Sequence, residues 1–333
     1  MVTRLFSTPT WSKLKWPLVA LGAALLFNLL FTTGFFHIEI KDGQLYGSLI
    51  DILKRAAPVM LLSLGMTLVI ATGGVDLSVG AIMAIGGSIA ALLITKTGMP
   101  LWAVIGIALA AGLAAGAWNG LLVALLQVQP IVATLILMVA GRGIAQLLTG
   151  GQIITFENKP FEFLGSGHFL GLPFPVSLVV VAFIATALLT RKTAAGLFIE
   201  SSGNNETASR YAGVNTRLVK LMVYAFCGLC AGIAGQIVAA DIKAADANNA
   251  GLWLELDAIL AVVIGGTSLT GGRFYLLSSL VGALLIQTLT TTILTRGVPV
   301  EFTLVVKAIV IILVCLLQSE SFRQSVLRKL KPR

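Results

Sequence analysis

Apolar runs of about 17 to 25 residues, separated by short polar breaks, recur along this chain, and that is the length a helix needs to cross the hydrocarbon of a bilayer. Ten such runs predict spanning helices over residues 17–36, 56–72, 79–95, 101–126, 130–149, 173–190, 218–240, 257–271, 275–295 and 302–318. A helix is the open-ended element that satisfies its own backbone in lipid, so the predicted fold class is an all-α membrane protein. The eighth run is short and meets Gly271-Gly272, which predicts a broken or incomplete span. Residues 191–220 form the longest polar interruption in the second half and read as a water-exposed connector between two membrane blocks.

Composition agrees with this reading. The 333 residues are 57% hydrophobic and 11% charged, too little polar surface to cover a soluble globule of this size. The net charge of +9 reads as basic loops that fix orientation and not as a nucleic-acid surface. Ten spans put both termini on one side, and placing that side in the cytoplasm leaves 14 of the 23 Lys and Arg residues inside, among them Arg191, Arg210, Lys220 and Arg273. The expected organisation is a cytoplasmic segment 1–16, a transmembrane domain 17–318 that includes a cytoplasmic loop 191–217, and a basic cytoplasmic tail 319–333. The first apolar run shows no small-residue cleavage pattern and reads as an uncleaved span. Lys54 and Arg55 run against the charge bias and are read as capping the second span. Trp16, Trp102 and Trp253 fall at predicted span ends, where amphipathic rings sit at the headgroup level. Cys227, Cys230 and Cys315 lie in apolar segments and read as small hydrophobes.

Small residues mark helix contacts. Gly112, Gly116 and Gly120 in the fourth span, and Gly228 and Gly232 in the seventh, make flat faces on which backbones can approach. AIMAIGGS at 81–88 is similar to LAVVIGGT at 260–267, each following an aspartate, Asp76 or Asp257. The units containing them, spans two to five and seven to ten, would run in opposite directions, an inverted repeat of the kind that builds transporters.

Catalytic patterns are missing from the sequence: no HExxH, no GxSxG, no dinucleotide fingerprint and no GxxxxGK[ST] phosphate loop. No catalytic residue, metal site or cofactor is therefore expected on this chain. Within the spans the ionisable residues are Arg142 and Lys307. Arg142 either lines a polar cavity or bonds backbone carbonyls of a neighbour, while Lys307 is read as snorkelling to the interface. With no carboxylate clearly in mid-span, coupling to a proton or sodium gradient lacks its usual machinery, and a neutral substrate suits the lining. Asn119, Gln146, Gln236 and Gln287 complete the substrate-path candidates, since amides both donate and accept and so match hydroxyl-rich ligands. Each is equally able to be an interhelical hydrogen bond. Asp76, in GGVDLS, and Asp257 are read as helix caps, and residues 245–258 as a solvated external loop. In the connector, Gly203, Asn204 and Asn205 offer a turn and a helix start, Glu206 to Ala212 a short helix that includes Arg210, and Gly213 to Asn215 its termination.

Four blocks carry a family resemblance. GMTLVIATGGVDLSVGAIMAIGG, ATLILMVAGRGIAQLLT, FIESSGNNETASRYAGVNT and LELDAILAVVIGGTSLTGGR resemble the successive signature blocks of bacterial sugar-importer permeases of the ribose, xylose and galactose type. These are the membrane subunits of ATP-binding-cassette importers. The resemblance runs from about Leu45 to Leu317, and residues 42–59 and 240–258 are most similar to the galactofuranose-importing branch. It implies the importer-permease fold in the bacterial inner membrane and a second, different permease subunit in a heterodimer. It also implies a periplasmic sugar-binding protein and a tandem-cassette ATPase that holds the ATP and Mg. The short helix in the connector then matches the coupling helix that seats in the ATPase, through Gly203, Asn204, Asn205, Glu206, Arg210, Gly213 and Asn215. Alternatives are a permease for another sugar such as ribose, the neighbouring branched-chain amino acid permeases, and a gradient-driven secondary carrier.

Overall fold

A computed structural model describes residues 8–41 and 43–318; residues 1–7 and the basic tail 319–333 lie outside the described residues. The chain forms helices α1 (Thr8–Phe31), α2 (Ser48–Ala71), α3 (Val79–Lys96), α4 (Leu101–Ala124), α5 (Pro130–Thr149), α6 (Lys159–Ser166), α7 (Phe174–Lys192), α8 (Ala195–Asn204), α9 (Glu206–Tyr211), α10 (Thr216–Ile242), α11 (Leu254–Ile264), α12 (Leu276–Thr295) and α13 (Val300–Gln318). Three antiparallel strand pairs sit in the connections: β1 (Glu39–Lys41) with β2 (Gln44–Tyr46), β3 (Ile154–Thr155) with β6 (Ala244–Ala245), and β4 (His168–Phe169) with β5 (Leu172–Pro173). Among the described residues, eight helices are long and apolar enough to cross a membrane. The fold is that of an all-α membrane protein.

A helix stands at each of the ten predicted positions, but the one at the eighth is half-length. α11 has 11 residues, about 16 Å at 1.5 Å per residue, and it ends at Gly265 and Gly266, the latter in the left-handed region at φ +83°. A side chain at Gly265 would collide with the backbone of Ser278 and Ser279, so α12 presses directly on this break.

α10 is the axis of the bundle. It packs most heavily on α4, then on α2 and α3, while α2 packs on α12 and α11. Each four-helix unit, α2–α5 and α10–α13, thus lends its first helix to the second and third helices of the other. α2 runs toward the end of the bundle that carries α8 and α9, where Gly203 meets Ala71, and α10 runs away from it. That exchange between opposed units is the inverted arrangement. The glycine faces read from the sequence press on each other. A Cβ on Gly112 would stand 2.7 Å from the Gly228 carbonyl oxygen, and one on Gly116 would stand 2.9 Å from Gly228 Cα. Backbone meets backbone there, the contact that replaces the hydrophobic drive between helices in lipid.

Two helices begin at mid-height. Gly86 of α3 faces Gly232, and Gly235 faces Met83, so the start of α3 at Val79 is level with the middle of α10. α11 starts at the same height from the opposite direction. A Cβ on Gly251 would stand 2.8 Å from Gly80 Cα, and one on Gly80 would stand 2.6 Å from Glu255 Oε2. Gly251 also has φ +73°, so both backbone conformation and space require glycine there.

Candidate functional site

The stretch from Lys243 to Trp253 leaves the end of α10 and folds back into the bundle, where Ala244, Ala245 and Ala247 are buried. The expectation of a solvated external loop is corrected: this is a re-entrant segment. Irregular backbone at such depth survives only when its polar groups find partners, and α5 supplies them. Arg142 Nη1 donates to the carbonyls of Ala247 at 2.9 Å and Ala250 at 2.7 Å, and Gln146 Nε2 donates to Asn248 Oδ1 at 2.8 Å. Asp246 closes the turn by accepting from the Asn248 and Asn249 amides at 2.9 and 3.1 Å. Of the two readings open for Arg142, the carbonyl-binding one describes its contacts. Trp253 is likewise moved: its ring lies next to the mid-height start of α11, not at a bundle end, and its backbone is left-handed at φ 67°.

Asp76 does not stand at the cap position of α3, which Ser78 occupies. Its Oδ1 accepts from the Ser78 amide at 2.9 Å, from the Ser78 hydroxyl at 2.6 Å and from Asn119 Nδ2 at 3.3 Å. Asn119 also donates to Ser78 Oγ at 2.8 Å. The carboxylate therefore closes the turn between α2 and α3 and ties it to α4, entirely buried. Asp257 is not a cap either. It lies in the first turn of α11, with Trp253 at the cap position, and pairs with Lys307 Nζ of α13 at 2.9 Å. Lys307 does not snorkel; its side chain is only 11% exposed and the carboxylate 13%.

The remaining path candidates scatter. Gln236 is buried and directed at the Ile105 carbonyl 3.5 Å away, and Gln287 at Thr291 Oγ1 one turn along its own helix. Only Arg142 and Gln146 meet, on the re-entrant segment. Glu255 was missed by the sequence reading. It is 3% exposed beside Gly80, and its signal was its place in the LELD block next to Asp257. The chain therefore does hold carboxylates inside the bundle, contrary to the expectation from the spans.

A second region lies at the opposite end. Gly203 and Asn204 form the last turn of α8, a helix not foreseen, so they are not a turn. Gly203 is pinned against the Ala71 carbonyl, with Gly272 N 2.7 Å from where its Cβ would stand. Asn205 alone separates α8 from α9 and caps the latter, its Oδ1 accepting from Ala208 N at 2.9 Å. α9 ends with Val214 N donating to the Ser209 carbonyl and Gly213 N to that of Arg210, with Gly213 at φ +87°, a Schellman closure. Asn215 then caps α10 by accepting from Leu218 N at 3.1 Å. Glu206 binds Arg210 at 2.5 Å and Lys220 of α10 at 2.7 Å, while Arg210 Nε reaches Thr216 Oγ1 at 2.9 Å. Burial raises the Glu206 carboxyl pKa, but Lys220 and Arg210 outweigh it and hold the group below the ordinary glutamate value of 4.5. α9 is thus a short, doubly capped rod clamped to the foot of α10 and, through α8, to the end of α2.

Opposed four-helix units with two helices that start where the units meet define a multi-pass membrane transport protein. Residues 48–315 match the family described as branched-chain amino acid transport system, permease component, and the chain belongs to that family. It is 58% identical to the galactofuranose transporter permease of Escherichia coli (strain K12), over 93% of this chain and 92% of that one. It is 42% identical to the fructose import permease of Bifidobacterium longum, over 92% and 88%, and 36% identical to the ribose import permease of Escherichia coli (strain K12), over 95% and 97%. These relatives are named as transport permeases and not as enzymes.

Proposed function

We propose that this chain is the membrane-spanning permease subunit of an ATP-driven importer and passes a neutral sugar, galactofuranose, into the cytoplasm. The observation that carries the choice of sugar is the 58% identity to a galactofuranose permease over 93% of the chain, well above the match to the fructose and ribose relatives. In this reading the chain lies in the bacterial inner membrane with both termini inside, beside a second permease subunit in a heterodimer. A periplasmic binding protein delivers sugar at the β3–β6 end. A tandem-cassette ATPase, which holds the ATP and Mg, meets α9 at the other. The clamped form of α9 supports this role, because a rod fixed to both α2 and α10 moves the first helices of both inverted units together. The test is uptake by the assembled transporter in proteoliposomes. Labelled galactofuranose should accumulate and excess unlabelled ribose should not compete; accumulation of ribose with none of galactofuranose would assign a different sugar.

A further inference from the structure

α1, α12 and α13 enclose a groove of about 500 Å3 that the transport path does not use. Its walls are apolar along α1 from Trp16 to Phe27 and along α12 from Leu285 to Ile293, with α13 opposite. Thr292 is the one hydroxyl on the lining, and it is already bonded: its Oγ1 accepts from Asn28 Nδ2 at 2.7 Å and donates to the Thr288 carbonyl at 2.7 Å. A single charge, Arg296, stands at one end. α12 begins beside α8, where Gly271 meets the Gly203 carbonyl, and its 20 residues carry Arg296 to the opposite end of the bundle. There the guanidinium lies over the rings of Phe27 and Phe31, 5.6 and 5.7 Å from their centroids, a cation–π contact that holds it at the mouth of the groove. Among the described residues no carboxylate pairs with it. The rise from Trp16 to Phe27 is about 16 Å at 1.5 Å per residue, half of the roughly 30 Å hydrocarbon core. The groove is therefore one leaflet deep, apolar inside, and marked by a lone cation at its outer end. An apolar helix seated there would cover the guanidinium without neutralising it, which is costly. A phospholipid standing in that leaflet supplies an anion at the mouth and a hydrocarbon chain behind it, and the planar fork of an arginine matches phosphate.

We propose that this groove is a phospholipid site, with the lipid phosphate on Arg296 and one acyl chain between α1, α12 and α13. The lipid bridges α1, which lies outside both four-helix units, to the second of them. The test is photolabelling of the assembled transporter in proteoliposomes with phosphatidylglycerol that carries a diazirine on one acyl chain, the labelled peptides being mapped by mass spectrometry. Labels should fall on α1 between Trp16 and Phe27 and on α12 between Leu285 and Ile293. Arg296→Gln should lower this labelling about tenfold, and Arg296→Lys by less, because the charge remains. Leu289→Trp, which fills the groove without touching the cation, should abolish it. The same diazirine on diacylglycerol, which has no phosphate, should label as weakly as the Arg296→Gln variant does with phosphatidylglycerol. That comparison uses the wild type alone and stands even where a variant fails to assemble. Excess inorganic phosphate should leave the labelling unchanged. Equal labelling by diacylglycerol, or full labelling of Arg296→Gln, would overturn the proposal, and displacement by inorganic phosphate would overturn it in favour of a free-anion site. A wild-type groove that takes no label would also overturn it, with cross-links from α1 to the second subunit or to this chain's own terminal residues naming the occupant instead.

Discussion

Lys307 and Asp257 form an ion pair between α13 and the half-helix α11, both side chains almost fully buried. Moving two charges out of water is costly, and the pair survives because each neutralises the other. Removing one partner is therefore worse than removing both. Lys307→Met should lower stability by about 3–5 kcal/mol, and adding Asp257→Leu should recover much of the loss. A melting series in detergent checks this; equal melting temperatures for wild type and the single variant would deny the pair its role. Neither residue announces this partnership in sequence. Asp257 precedes an apolar run and looks like a cap, and Lys307 looks like an interfacial cation, because 50 residues separate them and only tertiary packing joins them. Asp76 was misplaced for a related reason: the turn it closes is held by Asn119 of α4, which local pattern does not reveal.

At the scale of elements, α9 depends on Glu206. Its carboxyl is held below 4.5 by Lys220 and Arg210 against the opposing effect of burial, so the clamp is complete above the ordinary glutamate range and is lost as pH falls through the lowered value. The pairs are partly exposed, and each contributes about 1 kcal/mol or less. Protection of the 206–213 amides, relative to their intrinsic exchange, should hold from neutral pH down to about 4.5 and fall only below it, whereas Glu206→Gln should show the lower protection already at neutral pH and match the wild type once Glu206 is protonated. A loss of that protection in the wild type already near pH 6 would contradict the clamp. The short helix itself was legible, since Asn205, Gly213 and Asn215 are side-chain or backbone signals that act within a few residues. α8 was not, because its amphipathic stretch reads as loop until packed on α2. The ten long apolar runs were legible for the same local reason, and so were the glycine faces of α4 and α10. The re-entrant segment was not: its polar residues look solvated, and its depth comes from Arg142 and Gly80 on other helices.

Across the whole molecule, the outer faces of α4 and α5 remain apolar, with Trp102 at 77% on α4 and Leu147 at 83% on α5 exposed, as befits helices bordered by lipid or a second subunit. Polar groups concentrate instead at mid-height, where α3 and α11 begin, and at the α9 end. The carboxylates inside the bundle are engaged in structure: Asp76 in a turn, Asp257 with Lys307, and Glu255 within the electrostatic reach of Arg142. Under the proposed permease reading, ATP and not an ion gradient drives transport, with α9 as the point where the ATPase acts. The measurement that tests this most directly is sugar uptake by the complete transporter in proteoliposomes, with ATP held constant while an ionophore collapses the proton and sodium gradients. Uptake should continue unchanged and stop when ATP is withdrawn. Uptake abolished by the ionophore with ATP still present would contradict the account.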